Sequence, residues 1–185
     1  MSPGQRSKLK SSAQRAIRTK FVETFPQLEP HIDTIVPKKE QLDVMKLPNR
    51  CSLYTLGPRP LFYQHMDDDL VPHLRLVHQY PDFFPKMRVD RGAIRFVMGG
   101  AALMTPGMTS PGGRLPQDGK NDARWSSQED FEEGTVVVVE AEGKDTACAV
   151  GPLVMGTREM KEKKKGVVME MPHYLGDALW TMQLD

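Results

Sequence analysis

The sequence predicts an α+β chain of two domains, an N-terminal α/β domain with a small antiparallel sheet and a second domain built mainly of strands. Three observations carry this reading. First, short apolar runs at residues 42–47, 51–56 and 61–66 are separated by Pro48-Asn49 and by Gly57-Pro58 with Pro60, which is the turn chemistry of a small meander. Second, residues 88–113 start a new organisation, in which a capped helix turns on glycines into a strand and then a proline-glycine loop. Third, the charge divides: residues 1–87 carry 13 Lys/Arg against 9 Asp/Glu, a balance of +4, whereas residues 88–185 carry 12 against 15, a balance of −3. A length of 185 with 39% hydrophobic residues supports two modest cores.

In chain order, Arg6, Lys8, Lys10, Arg15, Arg18 and Lys20 precede the first acid, Glu23. Residues 1–10, with Pro3, Gly4 and Ser7, read as a disordered basic arm. The N-terminal domain then spans 11–87. Ser11 or Ser12 caps a helix that lines up Ile17, Phe21, Val22 and Phe25 and stops at Pro26. A short helix at 30–36 buries Ile32 and Ile35 before Pro37, and the strands of the meander follow. Asp67, Asp68 and Asp69 read as an exposed turn, since adjacent carboxylates need further ligands to hold one ion. Pro72 opens a helix at 72–80 that Pro81 ends; His73 and His78 lack metal-ligand spacing and read as packing residues. Residues 81–87 form the link.

The second domain spans 88–182. Asp90 suits an N-cap, and Ala93, Ile94, Val97 and Met98 recur at helical spacing, with Gly99 or Gly100 as the left-handed stop. Arg88, Arg91 and Arg95 stay off this apolar stripe. Gly107 to Gly112 has the glycine spacing of a nucleotide phosphate loop, but Gly113-Arg114 stand where that loop needs lysine and a hydroxyl. Ser110-Pro111 fits a proline-directed phosphorylation site and equally an ordinary turn. Residues 115–134 form an inserted polar loop in which Asp118, Asp122, Glu129, Asp130, Glu132 and Glu133 outnumber Lys120 and Arg124. That charge predicts a dispensable excursion repelled by RNA, with Trp125 and Phe131 either pinning it or making a small docking site. Strands follow at 135–140 and 146–151, joined by Glu142-Gly143-Lys144-Asp145, then one near Leu153, a polar segment at 158–165, a strand at 166–171 and a closing segment with Trp180 as core.

Several function classes find no support. Cys51 and Cys148 are far apart and outside any C-x-x-C pair, so neither a zinc site nor a disulfide is indicated and a reduced, cytoplasmic setting fits. No catalytic, cofactor or metal motif is present, no apolar run is long enough to span a membrane, and no secretory signal core precedes the first helix. A net charge of +1 requires any RNA contact to rest on a local patch.

Five segments in order, FPQLEPHIDTIVPKK, HLRLVHQYP, residues 88–113, EGKDTACAVG and HYLGDALW, resemble the malignant-T-cell-amplified-sequence (MCT-1) family of translation machinery-associated proteins and cover most of residues 25–180. The first ten residues and the 115–134 insertion depart from the pattern. The resemblance implies a C-terminal PUA domain, a β pseudobarrel that binds RNA, and a non-enzymatic translation factor. Its implied partners are small-subunit ribosomal RNA, tRNA in the initiation or recycling complex, and density-regulated protein, with roles in reinitiation and post-termination recycling. PUA domains grip RNA with the first helix, the following loop and a late strand, which here points to Arg88, Arg91, Arg95, Arg114 and Lys165. For the zinc-bearing segment of density-regulated protein, the expected dock is Leu53, Tyr54, Leu61, Phe62 and Tyr63, because strands apolar on both faces need a second cover. The rival readings are a PUA accessory subunit of an RNA-modifying complex and a protein-interaction module without RNA binding.

Overall fold

The computed structural model describes residues 4–184 as two compact units, one reaching Phe83 and completed by residues 178–184, the other running from Phe84 to Asp177. In the first unit, β1 (Arg6–Lys8) leads into α1 (Ser11–Thr24), a 3-10 turn (Pro26–His31) and α2 (Ile32–Ile35). The chain then folds back and forth through β2 (Asp43–Leu47), β3 (Cys51–Leu56), β4 (Arg59–His65) and β5 (Val71–Pro72) before α3 (Leu74–Gln79). The sheet order is β1-β2-β3-β4-β5 and every pairing is antiparallel. The turns follow from residue type: Asn49 and Arg50 are both left-handed between β2 and β3, and Gly57 at φ 59° turns β3 into β4.

One face of this sheet is covered by α1, where Phe21 stacks on Phe62 with ring centres 4.9 Å apart. The other face packs Met45 and Leu53 against Leu184, with Leu47, Tyr63, Leu179 and Met182 around them. The closing segment is tied down by α3. His73 is fully buried; its Nδ1 accepts from the Arg75 amide at 3.1 Å, which leaves the proton on Nε2 to donate to Leu179 O at 3.1 Å. The Arg75 guanidinium lies 4.2 Å from the Trp180 ring centre and donates to Trp180 O.

These contacts correct three expectations. Residues 6–8 are a paired edge strand and no part of a disordered arm, because their backbone finds partners in β2. Trp180 and its neighbours close the first unit instead of completing the second. Leu53, Tyr54, Leu61 and Phe62 are at most 8% exposed and Tyr63 packs with them, so they offer no docking face; the second cover that the sheet requires is α1 on one side and residues 178–184 on the other.

The second unit comprises β6 (Lys86–Val89), α4 (Ile94–Met98), β7 (Leu103–Met104), α5 (Pro106–Thr109), α6 (Ala123–Ser126), β8 (Val136–Ala141), β9 (Ala147–Pro152), α7 (Thr157–Lys163), β10 (Val167–Met169) and β11 (His173–Tyr174). One sheet has the order β11-β9-β8-β6 and a second pairs β10 with β7, an open arrangement rather than a closed barrel. β6, which the sequence reading divided between a link and the helical stretch, runs parallel to β8. A parallel pair needs a long crossover, and everything from α4 through α6 provides it. All of β8 is buried, which accounts for its four consecutive valines. Met87, Val89, Val97, Leu103, Met108, Val137 and Val139 belong to one core.

The insertion is built into this unit. Trp125 on α6 is only 2% exposed. Gln128 acts as a strand neighbour to β6, accepting from Lys86 N at 3.0 Å and donating to Lys86 O at 3.1 Å. Glu140 is buried against Arg124 at 2.8 Å and Lys86 at 3.3 Å. Asp130 accepts from Thr157 Oγ1 at 2.6 Å and pairs with Lys161 at 2.7 Å and Arg158 at 3.3 Å. An excursion pointing away makes none of these contacts, so the acid count at 115–134 misjudged the loop: several of its charges face inward partners.

A pH dependence follows. Burial alone would raise the Asp130 carboxyl, but hydrogen bonds from Lys161 and Thr157, with the Lys161 charge, outweigh it and hold the group below its ordinary value of 3.8. A depressed carboxyl stabilises the folded state fully above its unfolded pKa, and that contribution disappears as pH falls through the lowered folded value. Melting temperature of Asp130→Asn should therefore lie below that of the parent at neutral pH, with the two curves converging as pH drops below 3.8; parallel curves would refute the assignment.

Candidate nucleic-acid interface

The RNA candidates are set out by α4 and the turns beside it. Asp90 Oδ1 accepts from Ala93 N at 2.8 Å, which caps the turn entering α4, and Asp90 Oδ2 accepts from the Ser110 hydroxyl. Asp90 thus fixes the helix entry to the loop that follows α5. Gly100 ends the helix at φ +82°, and a Cβ there would collide with the Tyr174 hydroxyl at 2.8 Å, so both conformation and space demand glycine. Gly113 is constrained by space alone, since a Cβ would overlap the Met108 backbone.

Arg88 and Arg114 are brought together. Their backbones exchange hydrogen bonds of 3.1 and 2.9 Å, and Arg88 Nε donates to Gly112 O at 3.0 Å. Arg114 Nη1 donates to Pro111 O and Gly113 O. Arg91 is exposed, with its backbone amide on Glu142 Oε2 at 2.9 Å and its guanidinium over Gly143 of the β8–β9 hairpin; Glu142 in turn abuts Gly112. Four residues, Arg88, Arg114, Glu142 and Arg91, therefore form one neighbourhood.

Arg95 is exposed on α4 and lies 4.8 Å from the ring centre of Phe96, itself 55% exposed. Lys165 is exposed between α7 and β10, next to Gly166, whose carbonyl accepts from Thr105 N at 2.9 Å; no described contact joins it to the arginines. Among the described residues, Arg88, Arg91, Arg95 and Lys165 have no carboxylate within ion-pair distance, and Arg114 has only Asp122 at 3.9 Å. Cations without carboxylate partners keep their charge available to an anionic ligand.

Two features escaped the sequence reading. Lys120 donates to Ser110 O and Gly113 O, both at 2.7 Å, and so sits on the same loop as Arg88 and Arg114. Arg88 and Arg124 lie 6.0 and 5.0 Å from the ring centre of Trp125. Trp125 and Phe131 offered pinning as one of two readings of the insertion, and Trp125 is the one that is buried, but no sequence signal shows a lysine aimed at backbone carbonyls.

Two family models match this chain in succession, "Pre-PUA-like domain" over residues 2–81 and "elF2D, PUA domain" over residues 84–178. Translation machinery-associated protein 20 of Saccharomyces cerevisiae is 43% identical over 180 residues, covering 97% of this chain and 93% of that protein. Malignant T-cell-amplified sequence 2 of Homo sapiens is 37% identical over 175 residues, covering 95% and 90%. The chain belongs to this family of translation machinery-associated and malignant T-cell-amplified sequence proteins. Its pre-PUA unit is the one that reclaims residues 178–184, and its PUA unit carries the arginine neighbourhood. A hypothetical protein of Pyrococcus horikoshii has the same fold, with a TM-score of 0.73 at 21% identity over 95% of this chain and 98% of its own. No helix of the described residues is long and apolar enough to cross a membrane.

Proposed function

We propose that this protein is a non-enzymatic, RNA-binding translation factor that docks its PUA unit on small-subunit ribosomal RNA. In this reading it works beside tRNA in initiation or recycling complexes and, with density-regulated protein, supports reinitiation and post-termination recycling. The observation that supports RNA as the ligand is the group Arg88, Arg91, Arg95 and Arg114, whose guanidinium charges are left almost without carboxylates while Asp90 and the Arg88–Arg114 pairing hold the backbone beneath them. Membership of a family whose relatives are named for translation machinery supplies the setting. Lys165 joins the proposed contact from the β10 side. Leu53, Tyr54, Leu61 and Phe62 are buried in the pre-PUA unit and Tyr63 is half-buried, which favours a different surface for a partner protein.

The test is co-sedimentation with purified small ribosomal subunits across a salt series. Each phosphate contact releases about one counterion, so Arg91→Glu with Arg95→Glu should weaken binding and lower the salt slope by about two units. A folded double variant with unchanged affinity and slope would remove α4 from the interface. Co-purification of density-regulated protein with the parent chain tests the heterodimer separately.

A further inference from the structure

The loop of residues 110–113 turns its carbonyls toward three cations. Lys120 Nζ donates to Ser110 O and Gly113 O, Arg114 Nη1 to Pro111 O and Gly113 O, and Arg88 Nε to Gly112 O, over distances of 2.7 to 3.0 Å. Lys120 and Arg114 share the Gly113 oxygen, so two full positive charges stand within a few ångströms of each other. Carbonyl dipoles orient these cations without cancelling their formal charge. We infer that Lys120 of the inserted segment joins Arg88 and Arg114 in a three-cation cradle that takes a backbone phosphate of RNA. This rests on the RNA-binding reading above and adds to it a contact from a segment whose acids argue against one.

The acids close by are already engaged. Asp118 accepts from the amides of Leu115 and Lys120, both at 3.0 Å, and so serves as the turn that aims the lysine. Asp122 is 3.9 Å from Arg114 Nε, beyond hydrogen-bond length, and caps α6 through Arg124 N. Glu142 holds the Arg91 amide. Arg114 Nε is shielded from solvent yet has no hydrogen-bond partner among the described residues. Donors remain for a ligand: the third ammonium hydrogen of Lys120, both terminal nitrogens of Arg88, and Nη2 of Arg114.

Burial is the chief cause that holds the Lys120 ammonium below its ordinary pKa; the Asp118 charge opposes it, and the like charges of Arg114 and Arg88 add smaller contributions to the lowering. An arriving anion offsets both the burial and that repulsion. The cradle is preformed, since the Arg88–Arg114 backbone pairing, the Asp118 turn and buried Trp125 fix its parts before any ligand binds. Arg91 lies next along the surface beyond Glu142 and offers a cation for a neighbouring phosphate.

The experiment measures binding of the full chain to purified small ribosomal subunits over a salt series for the parent, Lys120→Gln and Lys120→Arg. Lys120→Gln should lower the salt slope by about one unit and weaken binding roughly tenfold near 0.1 M salt, while Lys120→Arg keeps the parent slope. A lysine that only braces the loop would lower the melting temperature of Lys120→Gln and leave the slope intact, which overturns the inference. Amine acylation read by mass spectrometry supplies a second readout on the parent chain: bound subunits should protect Lys120. Full reactivity in the complex, or protection by polyglutamate and not by subunits, also overturns it. Absence of any salt-sensitive binding by the parent would instead bring down the RNA-binding reading itself.

Discussion

Removing residues 178–185 should destabilise the pre-PUA unit by about 4 kcal/mol and lower its melting temperature by about 15–30 °C. Leu184, Leu179 and Met182 pack on Met45, Leu53 and Tyr63, and Leu184 is only 8% exposed. Full burial of one such side chain contributes roughly 1.5–3 kcal/mol, and partial burial of three of them reaches the stated sum. The truncation also strips the acceptor Leu179 O from Nε2 of fully buried His73, and a desolvated donor left so costs about 1–3 kcal/mol. Circular dichroism melts of the full and shortened chains decide the matter. A shortened chain that melts within a few degrees of the parent would mean that the sheet face tolerates solvent.

Trp125→Ala should destabilise the PUA unit by about 3–5 kcal/mol, the usual cost of emptying a buried tryptophan site. The ring is 2% exposed beneath the guanidinium groups of Arg88 and Arg124, on the helical turn whose Arg124 reaches Glu140. Losing it should also free Lys120 from its two carbonyls, so proteolysis within 115–134 should accelerate in step with the fall in stability. Urea denaturation with limited proteolysis measures both. A dispensable loop would give a change within ±0.5 kcal/mol, the range of an ordinary surface substitution.

What the chain declares about itself is mostly local. The turn at Asn49 and Gly57, the buried valines of β8, the Asp90 cap and the left-handed Gly100 are each readable because a residue type and a nearby neighbour determine the backbone. β6 was hidden for the opposite reason: KMRV alternates over only four residues, too short a run to declare a strand, and its strand state is conferred by pairing with β8 far along the chain. The fate of Leu53 and Phe62 was half visible, since two apolar faces demand two covers but do not say which segments supply them. At the candidate interface the arginines were legible as exposed charge on a helix and its flanks. Lys120 was not, because counting acids over 115–134 treats every charge as facing solvent, whereas Asp118, Asp130 and Lys120 face backbone and inward partners.

The return of residues 178–184 to the first unit also sets an order of assembly during synthesis. The strands β1–β5 and the helix α1 emerge early, but Leu179, Met182 and Leu184 are translated only after all of residues 84–177. Until then the Met45–Leu53–Tyr63 face of a nearly finished sheet stands uncovered on the nascent chain. The pre-PUA unit therefore begins folding before the PUA unit and finishes after it, and closing it pairs residues separated in sequence by all of 84–177, a high-contact-order step of the kind that slows folding. In the interval the bare face is a binding site for whatever apolar surface it meets, chaperones included.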